Sequence, residues 1–398
     1  MRILFLSHRL PYAPNRGDRI RAFHQLKLLA AHHEVHVVSL VHDEAEAAEI
    51  STLRSWVASA TGVSVNRPSR MLAAVPSLFT TRPLTHVLLH SPEVQPTLRI
   101  LLENVPVDVV MAYGTAMARY VFDPPLRTLP CLLDMIDVDS EKWTEMASSG
   151  ALWMKPIYQR EAWLLRRFER RAVERACATL VVNPRERQLL HSVLGPCGAI
   201  AVPNGIEVEA FQPPGPPAES AQVVFCGVFN YGPNEQGARW LASKVWPRVR
   251  RSRPDASLKL VGAHPTQAVR YLTRDPSIRV TGTVPDVRPF LWESAVSVAP
   301  LHLARGIQNK VLEAIGAGLP CVVTPQVMDG LPTAVHVACT PAATADAFAD
   351  GIVSLLNQRA DERRARANAV DLSTLAWPLQ LRPILDLIRD CRCPSAQA

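Results

Sequence analysis

Short apolar runs alternate with longer amphipathic stretches along the whole chain, and no other feature limits its folds as much. A strand buried on both faces reads as a near-continuous apolar run, and a helix laid over it reads with a 3.6-residue period. The alternation therefore predicts parallel sheets covered by helices on both sides. Six runs fall in the first half, at 3–7, 35–41, 107–113, 129–136, 178–183 and 199–202. Six more fall in the second, at 223–227, 258–262, 278–281, 295–299, 320–324 and 335–339. Two such sets predict an α/β chain of two doubly wound, Rossmann-like domains. The length of 398 residues, with 48% hydrophobic and 20% charged content, suffices for two cores. Between the sets, 211–220 holds four prolines and reads as a linker. The expected division is 1–210, a linker at 211–220, 221–376, and a closing amphipathic helix in 377–398 carrying Leu379, Leu381, Ile384, Leu385 and Ile388.

A net charge of +7 favours anionic partners, such as nucleotide diphosphates, lipid-linked pyrophosphates or phospholipid surfaces. Nucleic acid is not expected, because no zinc-finger spacing, glycine-aromatic RNA motif or sustained basic stripe is present. The eight cysteines are scattered through apolar contexts, and the pair Cys391 and Cys393 does not make a metal clamp by its spacing. Reduced thiols and no metal are the expectation. The apolar start is too short for a signal peptide and no run reaches the ~20 residues of a membrane span, which points to a cytoplasmic protein.

The chemistry concentrates in 301–325. Gly306 frees the backbone ahead of a short helix, and Asn309, Lys310 and Glu313 lie three and four apart, on one helical face. Gly316 and Gly318 end that helix, and Pro320 precedes the next strand. A helix N-terminus with Arg305 and Lys310 beside it is a seat for a diphosphate, while Glu313 can accept hydrogen bonds from a ribose. The plainer alternative is an ordinary loop and helix with a surface Lys–Glu pair. Three further loops follow predicted strands. One runs from Ser7 through Gly17 and Arg19, where glycine permits close approach to a phosphate and arginine adds charge. A second, after 223–227, carries Gly227, Asn230 and Asn234. The third holds Asp134, Asp137 and Asp139. Asp139 and Ser140 are natural helix caps; capping leaves Asp137 unexplained, and carboxylates so clustered can serve proton transfer.

The segment 305–324 resembles the donor site of family 4 glycosyltransferases (glycosyl transferases group 1), whose usual form is Glu, seven residues, Glu, then a Gly-Pro turn. Glu313 matches the second glutamate, and Arg305 stands where the first usually does, as a possible extra phosphate ligand. The glycine loop at 14–19, the turn Pro203, Asn204, Gly205, Ile206, Glu207 and the strand-turn at 280–286 are similar to pieces of the same family. The resemblance implies a GT-B fold, two Rossmann-like domains facing a cleft, with the last helix crossing back to the first domain. It implies donor contacts from Gly17, Arg19, Gly227, Asn230, Arg305, Gly306, Asn309, Lys310 and Glu313. It also implies an acceptor contact from Asp137, retention of anomeric configuration, and no metal or other cofactor. The opening Ser7, His8, Arg9, Leu10, Pro11 and the segment 137–143 resemble sugar transferases associated with bacterial exosortase systems, which act in exopolysaccharide synthesis.

Two stretches bear on the acceptor. Over 71–92 the only permanent charge is Arg82 among many apolar residues, consistent with helix packing or with docking on a bilayer or polyprenyl chain. Over 155–187 nine basic residues face four acidic ones. Tyr158, Ala162, Leu165, Phe168, Ala172 and Ala176 form a buried stripe, and Arg160, Arg166, Arg167, Arg170 and Arg171 point outward, to water or to anionic headgroups. The function expected is transfer of a sugar from a nucleotide-diphosphate sugar to a lipid-linked glycan, with peripheral contact at the inner face of the cytoplasmic membrane. Two alternatives use the same fold. A nucleotide-sugar 2-epimerase would act without an acceptor, and a membrane-associated scaffold would bind without turnover.

Overall fold

The computed structural model describes residues 1–12, 17–149, 152–304 and 307–392. The chain divides into two compact units, Met1–Pro203 with Gln380–Ala398, and Asn204–Leu379. The first unit is built on a seven-stranded sheet of β1 Arg2–Ser7, β2 Glu34–Val41, β3 Ser59–Ser64, β4 Val109–Tyr113, β5 Cys131–Ile136, β6 Ala178–Val181 and β7 Ala199–Ala201. Their order is β3-β2-β1-β4-β5-β6-β7, and every pairing is parallel. Ile3, Leu4, Phe5 and Leu6 are fully buried, as a strand covered on both faces requires. Strand β3 has no counterpart among the sequence expectations. It is an edge strand of small and polar residues in which only Ala60 and Val63 are buried, so it never forms an apolar run.

The second unit carries a six-stranded parallel sheet of β8 Gln222–Cys226, β9 Ser257–Val261, β10 Ile278–Val280, β11 Val296–Ala299, β12 Cys321–Val323 and β13 Cys339–Pro341, in the order β10-β9-β8-β11-β12-β13. The sixth strand was expected at 335–339. Instead Thr333–Ala338 is a 3-10 helix, and its buried Val335 and Ala338 sit three apart, the spacing that stacks side chains in that helix type. Each sheet reverses its strand order once, between β1 and β4 and between β8 and β11. In open sheets of this kind, ligands bind beyond the carboxyl ends of the strands at that reversal.

The proline-rich stretch expected as a linker is instead packed onto the second unit. The carbonyl of Phe211 accepts from Trp292 Nε1 at 2.8 Å, that of Gly215 from Arg364 Nη1 at 2.7 Å, and the Phe211 ring lies against the core. The units part after Pro203, ahead of the expected 210, because the Ile206 amide donates to the Leu375 carbonyl at 2.9 Å. A Cβ at Gly205 would lie 2.6 Å from the Trp377 backbone, so the turn there needs glycine. The closing helix Trp377–Arg392 buries Trp377, Leu381, Ile384, Ile388 and Cys391 but leaves Leu379 half exposed, and it is counted with the first unit from Gln380 onward. There Cys391 forms a disulfide with Cys177, 214 residues away, which corrects the expectation of reduced thiols throughout. Arg160, expected to point outward, instead donates to the carbonyls of Ser77 (2.8 Å) and Arg82 (3.3 Å), and Arg166 pairs with Glu141 at 2.5 Å.

The backbone approaches closely where the ends of β8 and β9 meet. Gly262 has φ 146°, and a Cβ there would overlap the Gly227 carbonyl oxygen. Gly262→Ala is expected to destabilise the chain by about 2–3 kcal/mol. Gly232→Ala, at a position with nothing within 4 Å, is expected to stay within about 0.5 kcal/mol of the unmodified chain. Denaturant unfolding of both variants measures the difference.

Candidate functional site

In the second unit, two helices open at the reversal point. Gly232–Trp240 follows β8, and Asn309–Gly316 follows β11. Lys310, in the first turn of the second helix, reaches across to the first. Its ammonium donates to Asn234 Oδ1 at 2.7 Å and lies 5.0 Å from the centre of the Phe225 ring. Asn234 is buried, and its amide nitrogen donates to the Val228 carbonyl at 3.0 Å, which turns the amide oxygen towards Lys310. The acceptor is neutral, so the lysine is held in place without losing its positive charge to a carboxylate.

Burial pulls the Lys310 amine down to about 8, opposed by Cys226 and Glu313. Glu313, one turn along the helix, is pushed up to about 7 by burial, with Lys310 opposing. The Cys226 thiol is pushed up to about 12, first by burial and then by Glu313, so it stays a neutral packing group. Both ionisable groups of the helix therefore titrate close to neutrality, and an anion placed at Lys310 would favour its charged form. The preceding residue, Asn309, accepts from Asn204 Nδ2 at 3.2 Å. Gly227, at the end of β8, donates its amide to the Val261 carbonyl at 3.0 Å. A Cβ there would lie 3.0 Å from the Asn234 amide, so glycine leaves room for the side chain that holds Lys310.

The structure thus brings together Lys310, Glu313, Asn309 and Gly227. Asn230 is exposed in the turn before the helix, and Asn234 is the residue that meets Lys310. Arg305 and Gly306 lie outside the described residues. The signal for Asn234 was its place in the polar loop that follows a strand-end glycine, but its partner lies 76 residues away.

In the first unit, the helix Gly17–His32 follows β1. Gly17 opens it. Arg19, expected to face a phosphate, instead turns with Arg9 onto the buried carboxylate of Glu46, Arg9 at 2.8 Å. Two arginines on one carboxylate leave this cluster with a net positive charge. Arg21, on the same helix, is fully buried and donates Nε to Asp134 Oδ2 at 2.8 Å and Nη1 to the Val202 carbonyl at 2.7 Å. Gln25 also donates to Asp134. At the reversal point His8 stacks on Tyr113, with ring centres 5.8 Å apart. Gly114 follows Tyr113 at φ 86°, where a Cβ would come within 2.8 Å of the His8 ring.

Asp137 sits beyond β5 on a strained turn. Ile136 has φ 69°, unusual for a β-branched residue, and the Asp137 amide donates back to the Met135 carbonyl at 2.9 Å, closing a γ-turn. Asp134 Oδ1 accepts the Ile136 amide at 3.0 Å, and the Ile136 carbonyl accepts the Val182 amide at 2.8 Å, so the turn is fixed from both sides. Lys142 bridges Asp137 (3.2 Å) and Asp139 (3.0 Å). Beneath them, Ser140 donates its amide to the fully buried Glu169 at 2.9 Å and its hydroxyl at 2.5 Å. Burial, then Asp139, pushes the Glu169 carboxyl up to about 7. Backbone strain of this kind persists where surrounding bonds enforce it, and it is concentrated at functional sites.

No curated protein sequence matches the chain. Residues 220–358 match the family model of glycosyl transferases group 1. Among solved structures, sucrose-phosphate synthase from Thermosynechococcus elongatus superposes with a TM-score of 0.68 at 15% identity, over 98% of each chain. Alr3699/HepE of Anabaena, in complex with UDP and glucose, gives 0.67 at 12% identity, over 98% of this chain and 100% of that one. WaaG, a glycosyltransferase involved in lipopolysaccharide biosynthesis, gives 0.61 at 15%, over 97% and 99%. These likenesses establish the GT-B fold, two parallel-sheet Rossmann-like domains. Residues 220–358, which match the glycosyl transferases group 1 model, contain Lys310, Asn234 and Glu313, and the chain as a whole has the GT-B fold.

Proposed function

We propose that the chain moves a sugar, with retention, from a nucleotide-diphosphate sugar to a lipid-linked glycan in exopolysaccharide synthesis. The observation that carries the donor half is the Lys310 ammonium, held by neutral Asn234 at the β8/β11 reversal. With one N–H spent on Asn234, the ammonium has two left for phosphate oxygens. When the bond from the anomeric carbon to the diphosphate oxygen breaks, negative charge grows on the departing phosphate, and Lys310 lies ready to stabilise it. The acceptor oxygen takes the anomeric carbon, and the proton of its hydroxyl passes to the departing phosphate. Glu313 holds ribose hydroxyls, and the amides at the start of the Asn309–Gly316 helix add to the anion's support. The UDP and glucose of HepE support this donor class, and the lipopolysaccharide role of WaaG supports a lipid-linked acceptor. Asp137, aimed by its strained turn and paired with Lys142, contacts the acceptor hydroxyl.

Lys310→Ala is expected to lower donor kcat/KM by about two orders of magnitude, the scale of one lost transition-state charge contact. Steady-state kinetics with a panel of nucleotide sugars reads this, and unchanged kinetics removes Lys310 from the site. The titration of Lys310 gives a second expectation. Only its charged form attracts a diphosphate, so the Kd for a nucleoside diphosphate rises above pH about 8, by up to about tenfold per pH unit. At that pH, binding draws a proton onto the lysine. Calorimetry in two buffers of different ionisation enthalpy will show proton uptake; release, or none, contradicts the assignment.

A further inference from the structure

The helix Arg67–Ser77 turns its apolar side outward. Met71, Leu72 and Val75 are exposed, Leu72 at 76%, and Phe79 just beyond is 91% exposed. These positions follow the spacing of one helical face. The Asn66 side chain caps the helix by accepting the Ser69 amide at 3.2 Å, so the stripe stands on a defined element. A second exposed apolar pair, Leu152 at 85% and Trp153 at 77%, opens the turn Leu152–Met154.

The two features are tied together. The helix Lys155–Arg175 directly follows that turn, and its Arg160 holds the Ser77 and Arg82 carbonyls. Its Glu161 accepts the amides of Leu84 and Thr85 at 2.7 and 2.9 Å. Trp153 lies seven residues before Arg160, roughly 10 Å along a helix axis. Along the segment that carries the apolar helix the charge is of one sign. From 50 to 92 there is no aspartate or glutamate and there are four arginines, and Lys155 is exposed beside Trp153. A second copy laid on this face would set arginine against arginine, whereas an anionic surface complements it.

We infer that this face docks the first unit on an anionic lipid bilayer. Leu72, Val75, Phe79 and Trp153 enter the boundary between headgroups and acyl chains, and Arg82 and Lys155 meet lipid phosphates. No described helix is long and apolar enough to cross a membrane, so the contact is peripheral. It rests on no part of the donor chemistry, and the two fail separately.

The test is flotation of the full chain with vesicles of phosphatidylcholine, with and without phosphatidylglycerol, at low and high salt. Recruitment to the phosphatidylglycerol vesicles at low salt is expected, falling at high salt. The double variant Leu72→Ser with Phe79→Ser is expected to weaken partitioning at least about tenfold, the scale of two large side chains removed from an apolar phase. Both residues are exposed, so its thermal melt and its affinity for a nucleoside diphosphate are expected to match those of the unmodified chain. Arg82→Glu provides a second arm that leaves the apolar stripe intact and is expected to weaken recruitment. Equal recruitment to both vesicle types, recruitment to neither as a protein-binding face would give, or partitioning unmoved by these variants overturns the inference.

Discussion

A desolvated ammonium held by an uncharged acceptor is the interaction on which the chemistry proposed for the second unit depends. Had a carboxylate stood at position 234, Lys310 would be neutralised and its proton bound too tightly to respond to a ligand. With asparagine there, burial brings the amine down to about 8, and the charge remains to be used by an arriving anion. The surrounding structure serves this one bond. Gly227 leaves space for Asn234, Val228 turns its amide, and the parallel sheet places the β8 and β11 helices side by side. Glu313, one turn along the same helix, titrates near neutrality for the same reason, its burial only partly offset by the lysine.

The first unit solves a different problem, the fixing of irregular backbone, with buried carboxylates. Asp134 pairs with buried Arg21 and also takes the Ile136 amide. Glu161 caps Leu84 and Thr85, Glu169 caps Ser140, and Glu186 accepts the Val138 amide at 3.0 Å. Each carboxylate accepts backbone amides at a loop or helix start, where an unmet buried donor would cost about 1–3 kcal/mol. The strain at Ile136 is tolerated because Asp134 and Val182 hold that turn from either side. Asp137 is presented from this rigid frame, next to Lys142.

Much of this was legible in the sequence, and the gaps have physical causes. Buried parallel strands betray themselves as apolar runs, so eleven of the twelve expected runs fall on strands and only the last was displaced. Strand β3 escaped because an edge strand need not be apolar, and 333–338 misled because valine and alanine at a three-residue spacing also suit a 3-10 turn. The face shared by Asn309, Lys310 and Glu313 followed from helical geometry alone. Pairings across long separations did not. Asn234 with Lys310, Glu46 with Arg19 and Cys177 with Cys391 exist only once the fold has joined their elements. The proline-rich stretch was read as a linker because its composition hides the Trp292 and Arg364 donors that tie it down.

On the proposed reading Lys310 is the seat of the donor's diphosphate, and a crystal structure with a bound nucleoside diphosphate is the decisive experiment. The prediction is a β-phosphate oxygen about 2.7–3.0 Å from Lys310 Nζ, with Asn234 still accepting from the same ammonium. A diphosphate bound elsewhere, with Lys310 contacting only Asn234, would contradict it.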